Sequence, residues 1–485
     1  MVWVWVWALG GVGVLLIVAA AVARRGLLGA SGGLAVAGAA GLYLIQSGML
    51  GGWAVEDYDD PARVAALRRA DLTVPRPTGD PAKDWPQWRG PLRDGIARGV
   101  NLAPEWTAER APRVVWSEEC GKGYSSVSVA GGRVYLQDFR EQGDRATEGV
   151  VCRDAATGAE VWSYRYPVDY RGIQSPANGP RATPTVHEGR VYTVGATGKF
   201  LCLDAEPPDG KPHVLWEHDL LAEFDAPLPS WGIASSPLIE GELVIVQPGG
   251  SDGTVVAFDR NTGELRWAAL GEKTGYCSPL AATCAGVRQV IAFTAENLVG
   301  LRPEDGAVLW KFEWRTQHNA NIAMPVVTDD YVFISSGYNK GCALLQLVPR
   351  GDGGVGVEKV WVRRRLLRNH FSSNVLHEGH LYGFDETRSE LKCIDLRDPD
   401  GEKWASHGLR RGSVVRADGL LLVLTEDGTL ALVEATPEDF RLKGKLEKVL
   451  NGSECWAPPA LTGDGRAYVR DHTKVVCLEL PRKEE

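Results

Sequence analysis

Residues 183–216 read TPTVHEGRVYTVGATGKFLCLDAEPPDGKPHVLW. Four short apolar runs, TPTV, RVYTVG, FLCLDA and HVLW, are separated by the turn signals HEGR, ATGK and EPPDGKP. β-Branched and aromatic residues dominate each run, and each is about one strand long. Four strands joined by three turns make one antiparallel meander. Such a unit leaves unpaired edges and cannot bury both faces alone.

The unit recurs along the chain. Its second-strand anchors are Val134-Tyr135, Val191-Tyr192, Val244-Ile245, Val290-Ile291, Val332-Phe333, Leu381-Tyr382, Leu421-Leu422 and Ala467-Tyr468, spaced 40 to 57 residues apart. Trp162, Trp216, Trp267, Trp310, Trp361 and Trp404 end the fourth strand of six repeats. The last repeat stops after its third strand, VVCLEL, and RVVW at Arg113 to Trp116 is placed to supply the missing fourth. Pairing the first strand with the last repeat closes a ring and removes the free edges. The expected fold is an all-β, eight-bladed β-propeller of four-stranded antiparallel blades, preceded by one or two N-terminal transmembrane helices. The domain reading is membrane-anchor segment 1–53, linker 54–83, ordered lead-in 84–112 and propeller 113–485.

The net charge of −9 argues against nonspecific nucleic-acid binding, which needs a basic footprint. Four of the nine cysteines, Cys152, Cys202, Cys393 and Cys477, occupy one repeat position, where Ala257 stands in another blade. That equivalence reads as a small buried side chain. No CxxC occurs, so zinc is not expected. A disulfide among Cys120, Cys277, Cys284, Cys342 and Cys455 stays open.

Val2 to Ala23 is an uncharged apolar run of 22 residues, long enough to span a bilayer. Arg24-Arg25 follows, then a second uncharged run from Leu27 to Trp53. The alternatives are two spans, one anchor or signal peptide, and a buried soluble hairpin. Two helices with Arg24-Arg25 at a cytoplasmic turn are the preferred reading, with the propeller in the periplasm of an inner-membrane-anchored protein. The stretch DWPQWRGPLRDGIA, Asp84 to Ala97, reads as a segment packed on the propeller.

The endings ATGAEVW, NTGELRW and EDGAVLW resemble the tryptophan-docking motifs of the pyrroloquinoline-quinone-repeat propellers. That family includes quinoprotein alcohol dehydrogenases and the outer-membrane assembly lipoprotein BamB. The likeness covers about three quarters of the chain. DWPQWRGP, GPRATPTV, WGIASSPL, NHFSSNVL and CWAPPAL look more like a mostly uncharacterised bacterial branch. The resemblance implies the propeller fold. The dehydrogenases use a vicinal disulfide, a calcium ion and a catalytic aspartate. Adjacent cysteines are absent here, and no calcium set or catalytic aspartate maps onto this sequence. No catalytic residue, metal or cofactor is therefore expected. Pyrroloquinoline quinone with calcium enters only under the alternative reading, a quinone-dependent dehydrogenase of alcohols or sugars. The leading reading is a non-catalytic scaffold, held at the membrane through residues 2–53, with a protein partner at a propeller face.

His377-Glu378-Gly379-His380 has HxxH spacing, yet His187-Glu188-Gly189-Arg190 is the same turn in another repeat. A turn is the better reading than a metal site. Arg363-Arg364-Arg365 with Arg368 reads as a solvated blade edge. The recurring aspartates of RDA, LDA, FDR and IDL read as turn residues at strand ends. The candidate binding residues precede successive first strands, which line the channel of a propeller. They are Tyr124, Asn178, Arg181, Trp231, Tyr276, Asn321, Asn369, His370, Arg411 and Trp456. Aromatic faces, amides and cations converging at one channel mouth make a ligand site.

The charge rule gives a test of topology. An alkaline phosphatase fused after residue 60 or after residue 485 should be active, and a cytoplasm-only fluorescent protein at the same points dark. The reverse result would put the propeller in the cytoplasm.

Overall fold

The computed structural model describes residues 55–73, 83–174, 179–351, 353–452 and 454–483, and all that follows concerns the unit Val55–Glu485. Both expected membrane spans lie outside the described residues. Among the described residues no helix is long and apolar enough to cross a membrane.

Eight sheets form, each with four antiparallel blade strands that are consecutive except at the seam, and two of them gain a fifth strand from the segment before the ring. Blade 1 runs through Ser128–Ala130, Arg133–Gln142, Arg145–Asp154 and Glu160–Pro167. Blades 2 to 7 span residues 185–219, 238–269, 280–313, 326–363, 375–405 and 412–446. Blade 8 takes its first three strands from residues 460–479 and its fourth from Arg113–Glu119, which pairs with Lys474–Glu479. The closing strand is therefore longer than the RVVW core, and it pairs with the third strand as expected, with Trp116 opposite Cys477. Arg470 adds a second clasp across the seam. It is fully buried and donates to the carbonyl oxygens of Gln137 (2.7 Å) and Gly121 (2.9 Å), which belong to blade 1 and its approach.

The apolar core lies between blades rather than at one centre. Tyr192, Phe200, Val244 and Phe258 pack blade 2 on blade 3, and Tyr382, Cys393, Leu421 and Val433 pack blade 6 on blade 7. The fourth-strand tryptophans fasten the outer part of each gap. The indole N–H of Trp162 donates to Ala205 O (3.2 Å), Trp267 to Pro303 O (2.8 Å), Trp361 to Leu396 O (3.1 Å) and Trp404 to Thr436 O (2.8 Å). Each acceptor belongs to the next blade. Trp116 does the same across the seam to Ala155 O (3.0 Å). The glycine of the ATG, NTG and EDG turns is required because the preceding blade's tryptophan lies on it. A Cβ at Gly158, Gly263 or Gly306 would come within 2.8 Å of Trp116, Trp216 or Trp267. Blade 7 has Gly444 at the tryptophan position, and there Trp106 of the lead-in lies against its backbone.

Several local readings take physical form. Cys152, Cys202, Cys393 and Cys477 sit opposite the docking tryptophans and are fully buried. All nine cysteines are free thiols. Glu378-Gly379 and Glu188-Gly189 both have positive φ, as a two-residue type I′ hairpin turn demands. Asp154 accepts from the backbone N–H of Ala156 and Thr157, both at 3.0 Å. The basic run, expected to be a solvated blade edge, is corrected in part: Arg365 is exposed, but Arg363 is buried and pairs with Asp59 (2.8 Å) and Asp400 (3.0 Å), and Arg368 pairs with Asp385 (3.1 Å).

Val55–Thr73 is docked on the ring's outer side. Tyr58–Asp59 adds a fifth strand to blade 5, Tyr58 opposite Val362. The helix Pro61–Leu67 follows, capped by Asp60. Its Val64 and Leu67 are buried with Phe333, Trp361 and Leu381, between blades 5 and 6.

The seam is the place where the ring opens most easily. Deleting residues 113–116 should expose the edge of Lys474–Glu479 and lower the melting temperature or the soluble yield. Trp116→Ala, which only empties the buried gap, should cost about 3–5 kcal/mol in a denaturant titration. A loss under about 1 kcal/mol would refute the docking role argued for Trp116.

Candidate functional site

The lead-in determines the shape of the channel. Trp85 enters beside blade 1, exchanging backbone hydrogen bonds with Val129 (2.9 and 2.8 Å), and Pro86 O accepts from Val186 N of blade 2 (2.8 Å). Further along, Arg93 donates to Ser236 O (3.0 Å) and Pro237 O (3.1 Å) of blade 3, while Arg89 donates to Asn374 O (2.6 Å) of blade 6. The segment leaves by Ile96–Ala97, which pairs in parallel with Arg416 and Ala417 of blade 7. Residues 85–97 thus bridge several blades from inside and plug the channel. Arg89 and Arg93 are almost wholly buried, and burial lowers the pKa of both guanidiniums. Their terminal nitrogens donate to carbonyls rather than to a carboxylate, and the Nε of each is buried without a hydrogen-bond partner among the described residues.

Above the plug lies a cup of about 380 Å³, within the size range of small-molecule sites. Trp88 of the lead-in contributes to its lining. The entry loops contribute Tyr124, Arg181, Trp231, Tyr276, His370 and Trp456. Six sequence candidates therefore share one cavity. Phe371 and Tyr338 line it as well. Tyr338 comes from the turn between the second and third strands of blade 5, a position the search along first strands does not reach.

The remaining candidates fall elsewhere. Asn321 is fully buried, donates to Thr294 O (2.8 Å) and Trp314 O (2.9 Å), and accepts from Ser336 Oγ (3.0 Å). Asn369 is buried in a reciprocal amide pair with Asn374 (2.9 and 2.8 Å). Both amides hold loops and do not line the cup. Arg411 stands behind Phe371, its guanidinium 5.3 Å from the ring centre. Asn178 lies outside the described residues.

The rings of the mouth touch in sequence. Tyr124 stacks on Trp456 (5.2 Å) and Trp456 on Phe371 (4.4 Å). His370 meets Tyr338 edge to face (4.8 Å), Tyr338 meets His318 (5.3 Å), His318 meets Trp231 (5.9 Å) and Trp231 meets Tyr276 (5.5 Å). Arg181 lies over Tyr124 at 4.9 Å. The Tyr124 hydroxyl donates to Glu454 (3.0 Å), and burial beside that carboxylate pushes its pKa up. Burial holds the His370 pKa below its ordinary value, with Glu386 opposing and Arg411 assisting. Positive φ at His318, Asn319, Tyr338, Asn339 and Glu454 marks the mouth as strained backbone. The Trp456 indole N–H is buried with no hydrogen-bond partner among the described residues.

No carboxylate or side-chain amide lines the cup among the described residues. No cluster of three histidine, cysteine, aspartate or glutamate residues fit for a metal occurs among them either. That donor set does not match a quinone held beside a divalent cation.

The fold and its tryptophan docking define a PQQ-like repeat propeller. The sequence model of the family described as outer membrane protein assembly factor BamB matches residues 146–400, more than half of the chain, and the chain belongs to that family. No curated protein matches. Among solved structures, BamB from Moraxella catarrhalis is similar, with a TM-score of 0.54 and 15% identity over 77% of this chain and 99% of that one. Quinohemoprotein alcohol dehydrogenase ADHIIG from Pseudomonas putida HK5 aligns with a TM-score of 0.54 and 13% identity over 88% of this chain and 83% of that one. At such identities the likeness is one of fold.

The plug should be held by its two guanidiniums. Hydrogen bonds to charged groups contribute about 1.5–3 kcal/mol each. Replacing Arg89 and Arg93 by methionine should speed amide exchange over residues 86–96 by at least about tenfold, with outer-strand protection unchanged. Equal exchange in both proteins would show that the anchors are dispensable.

Proposed function

We propose that this protein is a non-catalytic binding propeller of the bacterial cell envelope. Residues 2–53 tether it to the inner membrane, and the propeller stands outside the cytoplasm and receives a ligand or a group of a protein partner in the cup. The observation that carries this reading is the cup itself. It is preformed, predominantly aromatic and closed from below by the chain's own lead-in. Its types of side chain, tryptophan, tyrosine and arginine, are those that dominate binding energy at interfaces. The described lining offers no carboxylate to act as base or metal ligand. The family description, an outer membrane assembly factor, supports an envelope location and a protein partner at one face.

The decisive test is a titration of the full-length protein with pyrroloquinoline quinone and calcium, followed by dye-linked oxidation of alcohols and sugars. No turnover is expected. In producing cells, a photoreactive residue at Trp231 should give a discrete adduct, and one at Lys211, at the turn leading into blade 2's fourth strand, should give none. Saturable quinone binding with turnover would replace the scaffold by a dehydrogenase.

A further inference from the structure

The plug has a second side. Away from Trp88 and the cup, Gln87, Arg89 and residues 91–94 line another cavity, of about 300 Å³, against the first strands of blades 3 to 6. Leu92 in that lining is 41% exposed, so the cavity reaches solvent. Leu238, Leu280, Met324, Val326 and Leu376 give it aliphatic walls, and none of its described lining residues is aromatic.

The charges around this cavity do not balance. Arg89 and Arg93 are 3% and 4% exposed, and both line it. Their terminal nitrogens reach only carbonyl oxygens, which orient a guanidinium without neutralising it. Burial lowers the two pKa values to about 10 and about 9, which leaves both groups cationic at pH 7. The two carboxylates of the lining are committed to other cations. Glu240 accepts from Nε and Nη2 of Arg288, both at 2.7 Å. Asp94, whose field reaches Arg89, pairs with Arg98 and accepts from the backbone N–H of Ile96 (3.0 Å). Nε of Arg89, Nε of Arg93 and Oε1 of Gln87 are buried with no hydrogen-bond partner among the described residues. Buried ions are ordinarily paired, because an unpaired charge withdrawn from water is costly. Two such cations beside one open cavity select an anion, and the aliphatic walls select the body that carries it.

We infer that this second cavity binds an amphiphilic anion, a carboxylate or phosphate at Arg89 and Arg93 carried on an aliphatic chain that lies along Leu238, Leu280 and Val326. The site is separate from the cup, and the inference does not rest on the reading of the cup.

The test uses the full-length protein in a maltoside detergent, with calorimetry and amide exchange as readouts. The probes are octanoate, octyl phosphate, octanamide, octylammonium and inorganic phosphate. Octanoate or octyl phosphate should bind saturably and at least about tenfold more tightly than octanamide, the ratio expected of one hydrogen bond to a charged group. The same anion should slow amide exchange over residues 86–96. The ratio between the two anions distinguishes a fatty acid from a phosphate-bearing lipid or metabolite. Octylammonium should not saturate, and inorganic phosphate, lacking the chain, should bind at least about tenfold more weakly than octyl phosphate. Arg93→Gln should remove the preference for anion over amide. That change also loosens the plug, so a second variant keeps both arginines: Ala282→Leu, which fills the cavity, should abolish binding while the melting temperature stays unchanged. Equal binding of octanamide or octylammonium would overturn the anion assignment, and inorganic phosphate binding as tightly as octyl phosphate would overturn the aliphatic one. Saturation by neither anion, or binding that survives Ala282→Leu, would overturn the inference itself. The separate quinone and crosslinking experiments decide the reading of the cup.

Discussion

A four-stranded blade is not stable alone, and here one donor–acceptor pair does most to tie each blade to the next. The indole N–H of a fourth-strand tryptophan crosses the gap to a carbonyl after the third strand of the following blade, while its ring covers a glycine in the same turn. The contact has polar and apolar parts together, so it fixes the angle as well as the distance between blades. Six of the eight gaps carry that fixed step, and eight blades set at this angle close a circle. Its two departures are instructive. Trp310 donates instead to the side chain of Gln289 within its own blade. Blade 7, with Gly444, relies on Trp106 from outside the repeat.

Closing the ring leaves a channel, and this chain fills it with its own residues 85–97. The plug is attached through guanidiniums that reach carbonyls on blades 3 and 6, nearly opposite each other in the ring. Arginine suits this task, since its fork supplies several donors from one side chain. First strands of a propeller have fewer neighbours on the channel side than on the others, so their carbonyls and side chains are free to accept a plug. The consequence for function is direct: Trp88 of the plug lines the cup at the mouth.

The sequence made the ring legible because each blade repeats the same physical constraints. Period-two strands and tight turns recur along the chain and the terminal tryptophan is missing only from blade 7, so the strand anchors at Val191-Tyr192 and Leu381-Tyr382 fall inside second strands. The site was legible only in part. Searching residues that enter first strands finds Tyr124, Trp231 and Trp456, because topology alone brings such positions together. The same search cannot tell an amide that faces the cup from one turned into the loop. Asn321 and Asn369 look like Tyr276 and His370 by position, but their amides bond to buried backbone and side-chain groups behind them. Tyr338 and Trp88 follow other rules. Tyr338 sits in a hairpin turn after Gly337, and Trp88 belongs to a non-repeating segment whose path no periodicity determines. An aromatic residue in a turn otherwise built from Gly, Asn and Lys was the available signal for Tyr338.

Separating the work of stability from that of recognition explains why the mouth tolerates what the rest of the ring does not. The docking tryptophans and the inter-blade clusters lie toward the outside and carry the fold. The loops of the mouth add little to that core and hold features that are costly elsewhere: left-handed tyrosine and histidine, an indole N–H without a partner among the described residues, and a half-buried arginine over a ring. Each such feature costs on the order of 1–3 kcal/mol. They persist because the stack from Arg181 to Arg411 ties loops from five different blades to one another, so no single loop relaxes alone. A mouth held in this way keeps its shape whether or not a ligand is present. A ligand then loses little free energy to ordering the protein, and its affinity reflects mainly the fit to edges, faces and the single lining charge.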